Sequence, residues 1–450
     1  MNRTCRVAGL ATAAVLCLIT SSALRAQAPA QAPAQGQEPG KQQYTMAEYN
    51  SYQACAAEKN PQQQIKCLDD FVAKYPSSAL LIYVYPLYYN AYSQLRNYAK
   101  VIEYADKLLA LGEKAEAPVR YQAYYARAFA YSALNPNDPL AKDPAQAQKA
   151  REAALAGLKT LGELKKPDNM SQEEFEKQKQ QPTILFNYTA GTAAMNMKDY
   201  QRAVDSFKAV LALNPDDAVT AFKIGQAYMA MNPPQQTDAF WYFAKAAAKN
   251  QNQQQANQVK SYLRKLIANS QGGNVCDSLV DAELNELIQL ASTSAERPAS
   301  YKLPSAADLD AARKDMTIAS VINDLKAGGD KAKITWLAAC GLEFPDVPGK
   351  LVDVTSASDS VQLKVAFVTS EAEFDAKNTP DMDAKIVGQS EAAKLEKGNP
   401  VRFTATLVGY DPDPFMLHWD KGKVNAEDIP KEKEKKAPSK KRPTKKPGRG

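Results

Sequence analysis

The feature that most constrains this chain is a glycine that recurs after 34 residues, each time on a segment of small and apolar residues. The two glycines are Gly191, which follows Ala190, and Gly225, which follows Ile224. A fixed period of this length predicts stacked pairs of helices, because one pair cannot bury its apolar face alone. The sequence therefore predicts a binding scaffold rather than an enzyme built around one catalytic residue.

Residues 187–215 include Ala190, Gly191, Tyr200, Ala203, Phe207 and Pro215. With these residues at these offsets, the segment resembles a tetratricopeptide repeat (TPR), in which two short helices pack closely. The resemblance implies that the small residues let the two helices approach and that Phe207 fills the gap between them. The next repeat keeps the same pattern in Ile224, Gly225, Tyr228, Ala239, Phe243 and Ala246.

Weaker copies of this pattern precede the two repeats. Helical periodicity predicts three more pairs of helices, at 49–58 with 65–75, at 80–95 with 98–111, and at 120–133 with 144–164. We therefore expect about five hairpins between residues 46 and 268, more than the roughly three repeats that a continuous core requires.

The TPR resemblance also implies which side chains face a concave groove formed by the first helices. These are Leu185, Tyr188, Thr192, Met195, Asn196, Val219, Phe222, Gln226, Met229 and Ala230. The set is mainly apolar and aromatic, which suits a protein or peptide partner. TPRs that grip a terminal carboxylate use Lys and Asn one turn apart, whereas this chain has Tyr188 with Thr192 and Phe222 with Gln226. No such clamp is expected here.

Past residue 349 the apolar period changes from helical to two. Alternation runs through 361–367 and 401–407, and the segments 350–354, 382–387 and 415–419 complete a set of about five strands. Five short strands are enough to close a compact barrel. The segment 271–330 before them is predicted to be a helical connector.

The run from Leu395 to Tyr410 is similar to the central strand and lead-in turn of OB-fold proteins related to the anticodon-binding domains of tRNA synthetases. This resemblance implies a ligand face for oligonucleotide or glycan. The candidate residues are Arg402, Tyr410, Phe415, His418 and Trp419. In the alternative, the barrel only packs against neighbouring helices. The predicted fold class is α+β multidomain, with an all-α TPR-like superhelix at 44–270 and a small OB-like β barrel at 331–430.

The N-terminus has the three-part pattern of a secretory signal. Arg3 and Arg6 precede an apolar run at 7–24, and small residues suited to cleavage surround Ala26. We predict a signal peptide at 1–26 and an exported protein, periplasmic or in the bacterial cell envelope; a retained membrane helix is the alternative. The Ala-, Pro- and Gln-rich segment 27–43 is predicted to be an extended spacer.

Residues 431–450 form a basic segment with ten Lys or Arg residues against Glu432 and Glu434, interrupted by prolines. The formal net charge of the whole chain is only +6, so the remainder of the mature chain is mildly acidic. That balance does not favour nucleic-acid binding by the folded body. The tail either solvates the chain or contacts an anionic surface or polymer.

Four cysteines follow the signal segment. Cys55 and Cys67 lie on the two helices of the first predicted hairpin and can pair in an oxidising compartment. Cys276 and Cys340 pair by elimination, with two free thiols as the alternative. The single histidine, His418, and the absence of CxxC, HExxH and glycine-rich nucleotide motifs lead us to expect no enzyme activity, metal or cofactor.

Overall fold

The structure is a computed structural model that describes residues 44–273, 275–299 and 301–430. Across these residues it contains seventeen α-helices and five β-strands, and the strands close a barrel after the helical part of the chain. The predicted α+β class is confirmed. The chain divides into two compact units: unit 1 comprises the described residues up to Lys260 with Leu287–Pro298, and unit 2 comprises Ser261–Glu286 with the described residues from Ala299 onward.

Five helical hairpins follow one another in unit 1, as predicted. They pair α1 (Met46–Ala57) with α2 (Pro61–Lys74), α3 (Leu81–Gln94) with α4 (Tyr98–Leu109), α5 (Ala117–Ala133) with α7 (Pro144–Glu163), α8 (Gln172–Asn196) with α9 (Tyr200–Leu213), and α10 (Ala218–Ala230) with α11 (Gln236–Lys249). The short helix α6 (Pro139–Lys142) lies in the loop of the third hairpin.

Side-chain caps fix where the helices of the fourth and fifth hairpins begin. Ser171 and Glu174 form a capping box at the start of α8. Asp199 accepts from the Arg202 amide before α9, and Asp217 accepts from the Thr220 amide before α10 at 3.0 Å. These side chains satisfy amides that have no partner inside the helix.

Glycines set the distance between the paired helices. A Cβ atom built on Gly191 would lie 2.6 Å from the Phe207 ring, and one built on Gly225 would lie 2.7 Å from the Phe243 ring. Both phenylalanines are fully buried. The helices of the fourth and fifth hairpins therefore meet where a glycine contacts an aromatic ring, which is the packing that the resemblance implied for these two repeats.

Further helices lead to the barrel. They are α12 (Gln253–Ser270), α13 (Asp277–Thr293), α14 (Ala306–Lys314), α15 (Ile318–Ala327) and α16 (Gly329–Ala339). Within the predicted helical connector, α14 and α15 are separate helices, because Thr317 and Ser320 form a new capping box that starts α15. All but the first two residues of helix α16 lie in the segment 331–430, which was assigned to the β domain and in which the sequence indicated no helix.

Two disulfides are present in the described part of the chain. Cys55 and Cys67 join α1 to α2 with their Cα atoms 5.4 Å apart. Cys276 and Cys340, whose Cα atoms are 5.9 Å apart, join the residue before α13 to the residue after α16. Cys55 and Cys67 pair as the sequence allowed, and of the two alternatives left open for Cys276 and Cys340 the structure has the disulfide.

The barrel consists of β1 (Glu343–Ser356), β2 (Ser360–Phe367), β3 (Met382–Val387), β4 (Pro400–Pro412) and β5 (Phe415–Val424), with the short helix α17 (Glu371–Ala376) between β2 and β3. The strand order is β1-β2-β3-β5-β4, and pairing of β4 with β1 closes the barrel. Neighbouring strands are antiparallel except for β3 and β5, which are parallel. All five predicted strands are confirmed.

The barrel interior is filled by alternate side chains from every strand. Leu363, Phe403 and Leu417 are fully buried there. The outward-facing residues between them are polar or half-exposed, as expected for strands with one buried face. Among the described residues, no helix is long and apolar enough to cross a membrane. The segments 1–43 and 431–450, with the predicted signal, spacer and tail, lie outside those residues.

Candidate functional site

Helix α8 carries a stripe of predicted groove residues that packing leaves partly open. Leu185, Tyr188, Thr192 and Met195 are all half-buried, whereas the intervening Phe186 is fully buried. Their spacing of three and four residues places them on one face of the helix. The fourth hairpin therefore keeps an apolar surface that its own packing does not cover.

Helix α10 carries a second stripe with the same spacing. Phe222 and Met229 are half-buried, Gln226 and Ala230 are exposed, and Val219 is 53% exposed. Few large apolar side chains in the described part of the chain are as exposed as Val219. Two first helices of successive hairpins thus present stripes with the same spacing.

Lys223 connects the two stripes and was not among the predicted residues. Its Nζ lies 5.5 Å from the centre of the Tyr188 ring on α8 and 5.9 Å from the centre of the Phe207 ring on α9. No carboxylate of the described residues lies within ion-pair distance of this ammonium. Burial lowers the pKa of Lys223, and the carboxylate of Asp217 opposes that shift. As the sole charged residue of α10, Lys223 could have been noticed in the sequence.

Tyr188 supplies a neutral hydroxyl beside this ammonium. Burial, followed by the nearby charge of Asp217, raises the pKa of Tyr188 to about 12. The phenol therefore keeps its proton at neutral pH and can donate a hydrogen bond. Its ring lies 5.8 Å from that of Phe207, which holds it in place.

Two predicted polar residues of the groove have different surroundings. The amide nitrogen of Asn196 donates to the Tyr131 hydroxyl at 2.8 Å and to the Ala141 carbonyl at 2.9 Å. Asn196 thus holds the end of α8 against α5 and α6, and its donor group is already used. The buried hydroxyl of Thr192 has no hydrogen-bond partner among the described residues.

The structure does not bring the five barrel candidates to one face. Trp419 is 2% exposed, and its ring lies against Phe344 and Phe403 in the interior at centroid distances of 5.7 and 5.8 Å. His418 precedes it on the same strand and therefore points outward, since side chains alternate along a strand. Trp419 is a core residue and cannot share a ligand face with His418.

Arg402 and His418 are engaged with carboxylates. The Arg402 guanidinium lies 3.0 Å from Asp428 and 3.2 Å from Glu427. The His418 Nε2 lies 2.9 Å from Asp411. The positive charge of Arg402 is therefore already balanced on the barrel surface, which weakens its use as a phosphate ligand.

Tyr410 and Phe415 are half-buried on either side of the turn between β4 and β5, with ring centres 6.4 Å apart. Trp336 on α16 packs edge-on against Tyr410 at 5.0 Å, and the Lys326 ammonium lies 4.7 Å from the Phe415 ring centre. This aromatic row is the part of the predicted barrel face that the structure leaves open.

Comparison with protein-family models and with curated proteins finds no match to this chain.

Proposed function

We propose that the helical repeats bind a peptide segment of a protein partner on the stripes of α8 and α10. The observation that carries this proposal is the recurrence of half-exposed apolar side chains at equivalent positions of two successive first helices. The glycine–phenylalanine packing of both hairpins supports the TPR resemblance, which implies a groove on the same helices. The protein then acts as an exported scaffold in the bacterial cell envelope.

The chemistry of the stripes defines the partner. Leu185, Met195, Val219, Phe222 and Met229 offer apolar contact area, and covering a large apolar side chain completely contributes about 1.5–3 kcal/mol. A segment with apolar residues at helical or alternating spacing would cover several of these side chains at once. Without a carboxylate clamp, recognition rests on side chains of the partner rather than on its terminus.

The proposal is tested by photo-crosslinking in cells that natively make the protein. A benzoylphenylalanine placed at the exposed position 226 should form a discrete adduct with the partner. Val219→Lys should reduce that adduct, because it introduces a charge into the stripe without disturbing the core. Leu155→Lys is the matched control, since Leu155 is 44% exposed on α7, which carries none of the stripe residues.

Equal adduct yields in wild type, Val219→Lys and Leu155→Lys would contradict a groove on α8 and α10. So would an adduct that is lost only when the barrel surface is changed by Tyr410→Ala. That last result would instead support the second candidate function.

The second candidate is a barrel that binds oligonucleotide or glycan, carried on a helical-repeat stalk. It is favoured by the half-buried rings of Tyr410 and Phe415 and by the closed five-strand order, which supports the OB resemblance. The pairing of Arg402 with Asp428 counts against a phosphate backbone as ligand. Fluorescence titration of the full chain with short DNA and with oligosaccharides, in wild type and Tyr410→Ala, separates these ligands. A contact of the basic segment 431–450 with an anionic surface or polymer is an auxiliary part of either proposal.

A further inference from the structure

Unit 2 contains a cavity of about 300 Å³ lined by α13, α16 and β4. Two aromatic rings form part of its wall: Trp336 and Tyr410 meet edge to face, with ring centres 5.0 Å apart and ring planes 71° apart. Leu279 and Leu337 supply apolar wall, and Gly328 and other small residues widen it. The cavity thus has two ring surfaces at a wide angle and an apolar floor.

A carboxyl group without a full set of partners lies in the same wall. Glu283 is only 3% exposed. Its Oε2 accepts a hydrogen bond from the Gln271 amide at 2.6 Å, but its Oε1 has no hydrogen-bond partner among the described residues. Leaving a buried charged oxygen unsatisfied is costly, so an ionised Glu283 lacks a donor that a ligand could supply.

The charges of Glu286 and Lys333 act on Glu283, and Glu283 in turn acts on Tyr301. Glu286 forms an ion pair with Lys333 at 3.0 Å, which uses the cation nearest to the cavity. Burial raises the pKa of Tyr301, and the charges of Glu283 and Glu286 raise it further. Burial also raises the pKa of Glu283, against the opposing effects of the Gln271 hydrogen bond and the Lys333 charge. With one cation against two carboxyl groups, the ionised cavity has an excess of negative charge.

We propose that this cavity binds an organic cation, a primary ammonium or guanidinium group of the size of a lysine or arginine side chain. Its N–H groups donate to Glu283, and its charge lies against the faces of Trp336 and Tyr410. Aromatic rings attract such cations through their electron-rich faces, most strongly where water is excluded. A hydrogen bond between two charged groups is about twice as strong as a neutral one. A neutral or anionic ligand gains neither contribution.

Proton release accompanies binding, because a bound cation favours the ionised form of Glu283. Affinity for the cation therefore increases as the pH rises from acid conditions and Glu283 loses its proton. Tyr301 stays protonated through this range, because burial raises its pKa. The direction of this dependence is opposite to the one expected for an anionic ligand.

The test uses the intrinsic fluorescence of the full chain titrated with n-butylammonium at pH 8. Among the three tryptophans, Trp241 and Trp419 are 1% and 2% exposed, so a ligand in the cavity reports through Trp336. Glu283→Gln keeps the shape and the acceptor for Gln271 but removes the charge. It should weaken binding by about tenfold or more, as expected for loss of a hydrogen bond to a charged group. Glu343→Gln, at an exposed position on β1, should leave the affinity unchanged.

Two further titrations separate the sources of the cation. A capped Ala-Lys-Ala peptide that binds more tightly than n-butylammonium assigns the site to a peptide side chain; equal affinity assigns it to a free amine. Trp336→Phe should abolish the fluorescence change while calorimetry still detects binding. Any of three results would overturn the proposal. The first is that 1-pentanol binds as tightly as n-butylammonium, and the second is that neither n-butylammonium nor the peptide binds. The third is that wild type and Glu283→Gln bind n-butylammonium with the same affinity.

Discussion

Replacement of Gly191 by alanine tests whether the helical pairs depend on a glycine–phenylalanine contact. The added Cβ would lie 2.6, 2.7 and 2.9 Å from three atoms of the Phe207 ring, well inside normal contact distance. Because Phe207 is fully buried, its ring cannot turn into solvent. Overpacking of this kind costs about 1–3 kcal/mol, and the three simultaneous overlaps place the cost near the upper end. The gain in helix propensity from glycine to alanine offsets about 1 kcal/mol. The expected net loss is about 2 kcal/mol.

The assay is urea denaturation of the full, disulfide-bonded chain, followed by the helical circular dichroism signal. Gly162→Ala on α7 is the matched control, since no atom lies within 4 Å of the added Cβ apart from chain neighbours and the backbone of the same helix. The control should be stabilised by up to about 1 kcal/mol. Adding Phe207→Leu to Gly191→Ala should recover part of the loss, because the smaller side chain relieves the overlap. If Gly191→Ala instead gains stability to the same extent as Gly162→Ala, the close-packing argument is refuted.

Three further predictions follow from buried contacts. Gly225→Ala should destabilise the fifth hairpin as Gly191→Ala destabilises the fourth, because the added Cβ would lie 2.7 Å from the Phe243 ring. The rate of amide hydrogen exchange in α10 and α11 should increase. An unchanged rate would contradict this prediction. The Arg127 side chain is 1% exposed, and its Nε lies 2.5 Å from Oδ1 of Asp106. Asp106→Ala leaves this buried charge unpaired and should lower the free energy of unfolding, measured by urea denaturation, by about 3 kcal/mol or more. The double variant with Arg127→Met should recover most of that stability. In the folded protein the pKa of Glu283 is raised above its ordinary 4.5, so its contribution to stability is complete below pH 4.5 and is lost as the pH rises through the folded pKa. In Glu283→Gln, the unfolding temperature of unit 2 should therefore fall less as the pH rises. A pH profile of the unfolding temperature identical to wild type would contradict the raised pKa of Glu283.

The sequence predicts the elements whose pattern is local. The period of 34 residues places Gly191 and Gly225 opposite buried phenylalanines because a repeat imposes the same helix contact twice. Strand β3 has the limits 382–387 that the sequence predicts. Helix α16 was missed because residues on several of its sides are buried, so it shows no single apolar stripe. It also follows Gly328, which has a positive φ of 72° and indicates a turn rather than a helix start.

The candidate sites are less predictable because they depend on contacts between distant segments. Helical position was enough to place Tyr188 on one face of α8 and Phe222 on one face of α10, where both side chains are half-buried. It could not show that Lys223 reaches back over the ring of Tyr188, since that contact depends on how two hairpins stack. Likewise, Glu283 and Trp336 come from helices separated along the chain, and no local period relates them. The misplacement of Trp419 has a simpler cause: neighbouring residues on a strand face opposite sides.

Each unit has, at its proposed binding surface, an ionisable side chain without a full set of polar partners among the described residues. Lys223 in unit 1 is an ammonium held against aromatic rings without an ion-paired carboxylate among the described residues, and burial lowers its pKa. Glu283 in unit 2 is a carboxyl group with one unpaired oxygen, and burial raises its pKa. In both cases burial disfavours the charged form, so a ligand of opposite charge would restore that form and stabilise the unit that binds it. The two surfaces should therefore respond to different additives: an acidic apolar peptide should raise the unfolding temperature of the repeats, and an alkylammonium should raise that of the barrel unit.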